Sequence, residues 1–408
     1  MTALTLREWE EMPIGDVVPR SAARRLHALA ERETRRLRVP EPVLSRTARP
    51  GLRAGQVVGV LSVPGASLEI LPKVDGRGDG TVRDALARML GVALGLPVAA
   101  NEAASMGSQR EDLLEVVVRI FSELLLAAAK RGLPCRYRQL EEDLPVLRGK
   151  LDVRRQIARQ TVRANLLSCV HDELSEDTPL NRVLRAAVRR LLAVARTAAN
   201  RRALGELAGL FEAVGDSANP LNEPVMLDRT NTSFHKLHAL ARLFLAGDWQ
   251  STATGSHRGF ALLFPMNDLF EVFVGRCMQS ALVPRPVHLQ HRGLYALEGT
   301  RGGVFALRPD IVVDGDTVVD TKWKRLDGRK PTLGVDQSDV YQMLAYERAY
   351  RARRLVLLYP WDAGLPEAGV CRRWRVPGSS AVFDIATVEI GEPAVVRSSL
   401  RAIVRDAA

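Results

Sequence analysis

Residues 307–326 read LRPDIVVDGDTVVDTKWKRL, and the architecture of the C-terminal third follows from them. Two β-branched runs, 310–313 and 317–321, flank Asp314-Gly315-Asp316. Gly accepts positive φ and Asp tolerates it, so the stretch predicts a β-hairpin. A turn centred on Gly315 sets Asp310 opposite Asp320, with Cβ atoms roughly 4.5–5.5 Å apart. Side chains alternate faces with period two, so Lys322 shares the face of Asp320, while Ile311, Val313, Val319 and Trp323 turn the other way. The reading is one apolar face and one face carrying two acids and a lysine.

Two carboxylates at that separation repel unless one is protonated or a cation lies between them. An all-oxygen pair with open ligand positions suits Mg²⁺, with Mn²⁺ as a substitute, because such ions keep waters and take phosphate oxygens as further ligands. Lys322 would orient the attacking water or help to deprotonate it, and the chemistry this predicts is metal-assisted hydrolysis of a phosphodiester. An exposed hairpin with a chance salt bridge fits the same residues. The spacing of Pro309-Asp310 and Asp320-Thr321-Lys322, with nine residues between the aspartates, resembles the PD-(D/E)xK nuclease signature.

The surroundings strengthen that resemblance. Residues 338–350 (SDVYQMLAYERAY) have helical apolar spacing behind an N-cap-type Ser338, and Gln342 and Tyr346 share a face at i and i+4. Gln-x-x-x-Tyr at this distance resembles the additional motif of RecB-type nucleases. Residues 267–282 read as a helix with Leu269, Phe270, Phe273, Val274 and Cys277 inward and Glu271 beside that face, where those nucleases carry a helical acid. Residues 354–360 (RLVLLYP) form a buried-type strand. The order helix, three strands, helix, strand resembles the nuclease core. Taken one at a time, Glu271 also fits a solvated position, and Gln342 and Tyr346 fit core-edge packing.

The 408 residues allow two or three domains, and 46% hydrophobic with 26% charged residues is globular composition. A net charge of +11 and a pI near 9.9 favour a polyanionic partner, although Arg and Ala are abundant throughout. Cys135, Cys169, Cys277 and Cys371 are widely spaced, which indicates neither a disulfide framework nor a zinc ribbon. The acidic N-terminus lacks a signal-peptide core, and the longest apolar run, 89–100, is too short to span a bilayer. These features predict a soluble, cytoplasmic protein with no membrane partner.

Taken in order, residues 4–18 alternate weakly, and 20–39 form an amphipathic helix with Leu26, Leu29 and Leu37 inward. From 43 to 74 short β-type runs are split by Pro and Gly, with 57–63 and 67–71 pairing across Pro64-Gly65. Residues 75–80 (DGRGDG) read as a loop with no phosphate-loop continuation. Helices are predicted over 81–96, 111–131 and 180–203, with an extended segment over 135–154. The last helix carries an arginine stripe of Arg182, Arg185, Arg189 and Arg196, which fits a phosphate backbone, an acidic partner or simply a solvated face. His235/His238 and His288/His291 lack a third ligand and are assigned structural or solvent roles. Arg148-Gly149-Lys150-Leu151 lacks the hydroxyl residue of a Walker A loop, so nucleotide hydrolysis by that route is excluded. The expected organisation is an α+β multidomain chain: a small N-terminal β-rich domain (1–80), a mainly helical middle region (81–255) and a C-terminal α/β domain of restriction-endonuclease type (256–408).

Several phrases outside the hairpin carry a wider resemblance: LEILPKV at 68–74, LRGKLD at 147–152, DELSEDTPLNRVLRAAV at 172–188 and FPMNDLFEVFV at 264–274. With RPDIVV, VVDTKWKRL and DVYQMLAY, they make the chain similar over nearly its whole length to the McrC family, the nuclease subunits of the McrBC 5-methylcytosine restriction system. The resemblance implies a phage-defence endonuclease that docks through its N-terminal and middle regions on an McrB-like AAA+ GTPase hexamer, stimulates its hydrolysis, and cuts double-stranded DNA bearing modified cytosine. It further implies that Asp310, Asp320, Glu271 and Thr321 surround Mg²⁺, that Lys322 supports the nucleophilic water, and that Gln342 and Tyr346 complete the site. A regulatory module of an AAA+ ring with incidental nuclease activity, and a stand-alone repair nuclease, are the alternatives.

Overall fold

The computed structural model describes residues 2–15, 17–48, 50–73, 79–96, 112–159, 165–251, 257–300 and 302–405. Most of the loop expected at 75–80, the end of the apolar run at 89–100, Val74 and Glu111 lie outside the described residues. Two compact units emerge, Met1–Val116 with Trp249–Ala408, and Val117–Asp248. They cut the chain differently from the three segments read in the sequence, because a strand that follows the middle region returns to the N-terminal sheet.

In the first unit β1 (Thr2–Arg7) runs parallel to β6 (Ala66–Leu71), and β2 (Glu11–Pro13), β3 (Leu44–Arg46) and β4 (Gly51–Ala54) form a three-stranded sheet in the order β2-β4-β3. β5 (Val57–Val63) pairs antiparallel with β6 through Val63↔Ala66, and Gly65 at φ +93° makes the tight turn after Pro64. Helix α1 (Arg20–Leu37) buries Leu26 and Leu29 completely against this sheet, with Leu37 at its edge. Helix α2 (Asp79–Leu94) follows, and α3 (Leu113–Ala129) leads into the second unit.

The second unit holds a three-stranded sheet, β7 (Arg136–Leu144), β8 (Lys150–Leu151) and β9 (Leu167–Ser175), in the order β7-β9-β8, with α4 (Val153–Arg159) between β8 and β9. The single helix expected over 180–203 is two helices, α5 (Pro179–Val194) and α6 (Ala198–Leu210). The break follows from Ala195 turning extended and from Thr197, whose hydroxyl accepts from the Asn200 amide and starts a new N-terminus. Arg196 therefore leaves the stripe. The remaining arginines pair within the unit: Arg182 to Asp177 at 2.7 and 2.6 Å, and Arg189 and Arg185 to Asp216 at 2.5 and 3.4 Å. Helix α7 (Thr232–Ala246) closes the unit on α5, and His235 Nε2 lies 2.9 Å from both Asp228 O and Asn231 Oδ1, in keeping with a structural role.

The chain then re-enters the first unit through β10 (Asp248–Ser251) and β11 (His257–Pro265), which complete a five-stranded sheet β1-β6-β5-β11-β10. Gly59 is required at this junction. Its φ is +132°, and a Cβ there would stand 1.9 Å from Leu262 O across the β5–β11 pair.

Directly after β11, helix α8 (Met266–Ala281) begins the part of the unit built on a six-stranded sheet. The strands are β12 (Val287–Leu289), β15 (Ile311–Val313), β16 (Thr317–Thr321), β17 (Arg354–Pro360), β18 (Gly369–Arg375) and β19 (Val382–Val388), in the order β12-β15-β16-β17-β19-β18. β13 (Leu294–Gly299) and β14 (Gly302–Leu307) form a separate hairpin. Helix α9 (Gln337–Tyr350) packs on one face of the sheet, while α8 and α10 (Pro393–Arg405) pack together against it elsewhere. Among the described residues no helix is long and apolar enough to cross a membrane.

Candidate active site

The predicted hairpin forms with the predicted register: Ile311↔Val319, Val312↔Val318 and Val313↔Thr317. Asp314 at φ 51° and Gly315 at φ 78° make the turn, with Asp316 N donating to Val313 O at 3.2 Å. Those two left-handed residues match the twist of the flanking strands. Both faces of the hairpin are buried, so the division into one apolar and one acidic face is too simple. Val312 and Val318 share the acidic side and pack with Met343 and Tyr346 of α9, while Trp323 lies against Phe270 of α8 with ring centroids 5.4 Å apart. An ordinary exposed hairpin is excluded. β16 is an interior strand, parallel to β17, and Asp320 pairs with Leu357 in the ladder.

On this buried floor the candidate side chains converge. Asp310 Oδ2 accepts from the amide and the hydroxyl of Thr321, both at 2.7 Å, which pins the carboxylate across the hairpin. Lys322 Nζ lies 2.8 Å from Asp320 Oδ2 and donates to Gln342 Oε1 at 3.3 Å. Gln342 Nε2 in turn donates to the Tyr346 hydroxyl at 2.7 Å. Glu271 stands to one side, its Oε1 accepting from Gln290 Nε2 at 2.8 Å. All seven residues singled out in the sequence therefore lie in one region of the first unit. Asp336, not Ser338, precedes the first turn of α9, and its carboxylate pairs with Lys324 instead of capping the helix.

Burial dominates the electrostatics. Desolvation first, and then the neighbouring Glu271 carboxylate, push Asp310 up to about 6; desolvation and the facing Asp310 carboxylate do the same to Asp320. Glu271 is raised by desolvation, and the nearby Asp268 and Asp320 carboxylates add to this. Burial pulls the Lys322 ammonium down, but Asp320 and Asp339 outweigh it and hold Lys322 above the ordinary lysine value. Lys322 is thus a proton donor at neutral pH. Two buried carboxylates that raise each other in this way disfavour ionising together, and Lys322 is the cation that partly offsets them at Asp320.

The donor set fits a hard divalent cation: two carboxylates, a threonine and further oxygens, with no soft ligand. Among the described residues no three His, Cys, Asp or Glu side chains form one metal-holding group, so Glu271 stands beside the aspartate pair and is not clustered with it. Mg²⁺ is ordinarily held by one or two carboxylates, so the pair alone meets its requirement.

Three contributors went unread in the sequence. Asp339 stands 3.3 Å from both Lys322 Nζ and Lys324 Nζ, and its signal was available, three residues before Gln342 on the same helical stripe. Gln290, at φ 46°, steers Glu271, takes the Arg308 guanidinium on its side-chain oxygen and donates its own amide to Asp310 O at 2.7 Å. Nothing local marked it. Gln56, from the link between β4 and β5, donates to Trp323 O at 2.8 Å, a contact between residues 267 apart in sequence.

A family model described as the McrBC 5-methylcytosine restriction system component matches residues 52–360, most of the chain and all of this site. The chain belongs to the McrBC family. The McrBC match reaches from β4 to the end of β17 and so spans both units. Among solved structures, the refined half-complex from the tetradecameric assembly of Thermococcus gammatolerans McrB AAA+ hexamers with bound McrC is similar over 100% of both chains, with a TM-score of 0.77 at 22% identity. That likeness speaks to fold. The cryo-EM structure of the Thermococcus gammatolerans McrBC complex is similar over 69% of this chain and 88% of that one, with a TM-score of 0.56 and 27% identity. No curated relative matches the chain.

Proposed function

We propose that this McrBC-family chain is the McrC-like cutting subunit of a modification-dependent restriction complex, a Mg²⁺-dependent DNA endonuclease with a PD-(D/E)xK site. The observation that carries the reading is the buried Asp310/Asp320 pair with Lys322 2.8 Å from Asp320. Asp310 and Asp320 hold the cation, with Mn²⁺ as a substitute, and Thr321 keeps Asp310 aimed through its two hydrogen bonds. A bound Mg²⁺ supplies Lewis-acid polarisation of a phosphoryl oxygen and eases deprotonation of water near neutral pH. Lys322 stays protonated between Asp320 and Asp339, so it acts by donating to the water or to a phosphate oxygen, not by taking a proton. Gln342 and Tyr346 fix the Lys322 ammonium from α9, and Glu271 adds negative charge beside the pair.

A second surface supports a docking role. In the second unit Tyr137, Val146, Leu147, Val153, Ile157 and Leu174 are exposed on or beside β7, β8 and β9. This favours a partner-binding arm, and the McrB AAA+ hexamers of the similar Thermococcus gammatolerans assembly name the class of partner.

The test is cleavage of methylated and unmethylated plasmid with Mg²⁺, with an McrB-type partner and GTP or ATP present or omitted. Cutting that needs both partner and nucleotide is the expected result. Asp320→Ala should then abolish cleavage while partner hydrolysis remains stimulated. Cutting by the chain alone would indicate a self-sufficient nuclease, and stimulated hydrolysis without any cutting would indicate a regulatory module.

A further inference from the structure

Helix α1 carries charge that the candidate active site does not use. Residues 20–38 hold seven arginines and two glutamates, a net +5 of the chain's +11. Ala22, Ala23, Leu26, Leu29, Ala30 and Glu33 form the buried face of the helix. With 3.6 residues per turn, Arg20, Arg24, Glu31, Arg35 and the cap residue Arg38 fall within an arc of about 60° on the opposite side. All five are exposed. Arg36 pairs with the buried Glu33 at 2.6 Å, and Arg25 donates to Pro64 O at 2.9 Å. By contrast, the side chains of Arg20, Arg24, Arg35 and Arg38 have no ion pair or hydrogen bond among the described residues. Glu31, the one acid in the arc, lies 3.5 Å from His27 Nδ1.

The helix gains nothing from this arrangement at its start. α1 has no acidic residue in its first turn and no side-chain cap, so Arg20 stands at the positive end of the helix dipole with Arg24 one turn on. Arg20 and Arg24 are like charges at i and i+4, and Arg35 and Arg38 at i and i+3, spacings at which cations repel. A bound polyanion relieves both costs.

The composition of the face selects the anion. No large apolar side chain between residues 20 and 38 is exposed, whereas a protein interface is built round an apolar and aromatic core. Contacts to a nucleic-acid backbone need no such core, and a guanidinium matches a phosphate with two parallel N–H donors. The four arginines form two pairs, one at each end of α1, about 17 Å apart along the axis from Arg24 to Arg35. That spacing lets the pairs reach the two backbones that flank a major groove about 12 Å wide, with Glu31 between them and over the groove.

We infer that the outer face of α1 binds duplex DNA, with its two arginine pairs on the phosphates either side of one groove. The face belongs to the same compact unit as Asp310 and Asp320, so it holds the duplex that is cut. That last step rests on the nuclease reading; the duplex contact does not.

The test is the anisotropy of a short fluorescein-labelled duplex titrated with the full chain, in chelator, over a range of NaCl concentrations. On logarithmic axes affinity should fall linearly with salt, and Arg24→Gln combined with Arg35→Gln should flatten the slope by about two, the counterions released by two phosphate contacts. Binding by that variant should be about sixtyfold weaker near 0.1 M salt, with the curves converging towards 1 M. The same loss of charge at the exposed Arg201 and Arg202 of α6, Arg201→Gln with Arg202→Gln, should leave the slope unchanged. A wild-type chain that does not bind the duplex, an unchanged slope in the α1 variant, or equal flattening in the α6 control would overturn the inference. So would an α1 variant that keeps duplex binding and loses stimulation of partner hydrolysis, which would move the stripe to an acidic face of the partner. Asp320→Ala should keep the wild-type slope. A chain that binds through α1 and never cuts fails the nuclease reading alone, and one that cuts with its slope unaltered in the α1 variant fails this inference alone.

Discussion

Asp320→Asn should stabilise the metal-free protein at the same time as it removes the proposed metal site. Asp320 is 2% exposed and its carboxyl is held at about 6 against an ordinary 3.8. Ionising it in the folded state at pH 8 therefore costs of order 2–3 kcal/mol, at about 1.4 kcal/mol per pH unit of displacement, and the Asp310 carboxylate shares in that cost. The sign follows from proton binding. Between 3.8 and about 6 the folded state holds more protons than the unfolded chain, so stability rises as pH falls through about 6 and levels off below the unfolded value. The amide carries no such penalty. Denaturant unfolding in chelator should therefore show Asp320→Asn more stable than wild type at pH 8, with the gap closing by about pH 4. Adding Mg²⁺ at a hundred times its dissociation constant should restore about 2.7 kcal/mol to the wild type and little to the variant. A variant destabilised at pH 8, or equal Mg²⁺ stabilisation of both proteins, would refute the reading of the pair as a buried, cation-seeking site.

Other positions give independent checks. Asp339→Asn removes the carboxylate shared by Lys322 and Lys324; cleavage by the assembled complex should fall roughly 10- to 100-fold, as for other residues that orient a metal site's neighbours, with Mg²⁺ binding measured by calorimetry largely retained. Asp384→Ala strips the buried Arg354 of an acid partner whose Oδ2 accepts from its Nε and Nη2 at 2.8 and 2.6 Å, and should cost about 3–5 kcal/mol in urea unfolding because a charge is left uncompensated. Gly59→Ala forces a Cβ to 1.9 Å from Leu262 O at φ +132°; it should destabilise the first unit by several kcal/mol, on the order of a strained backbone plus a steric clash, seen as a lowered melting transition.

The hairpin and its register were legible because they are local: the Asp-Gly-Asp turn and period-two alternation set the 311↔319 pairing before any tertiary contact is known. The inward faces of α1 and of α8 were legible for the same reason, helical spacing of Leu26 and Leu29 and of Phe270 and Phe273. A break at Thr197 was not, since apolar and basic periodicities run on through it and only the capping hydrogen bond declares the new helix. Tertiary structure alone decided that Asp310 and Asp320 are buried strongly enough to share a raised pKa, because that depends on α9 covering the sheet with Met343 and Tyr346. It also decided that Lys322 stays charged, through Asp320 and Asp339, and that Glu8 meets Trp323 across 315 positions of sequence. Local pattern determines which residues can form a strand, a turn or an amphipathic face; the dielectric around a carboxylate and the partner of an indole N–H are set by segments distant in the chain, and only the folded protein brings those together.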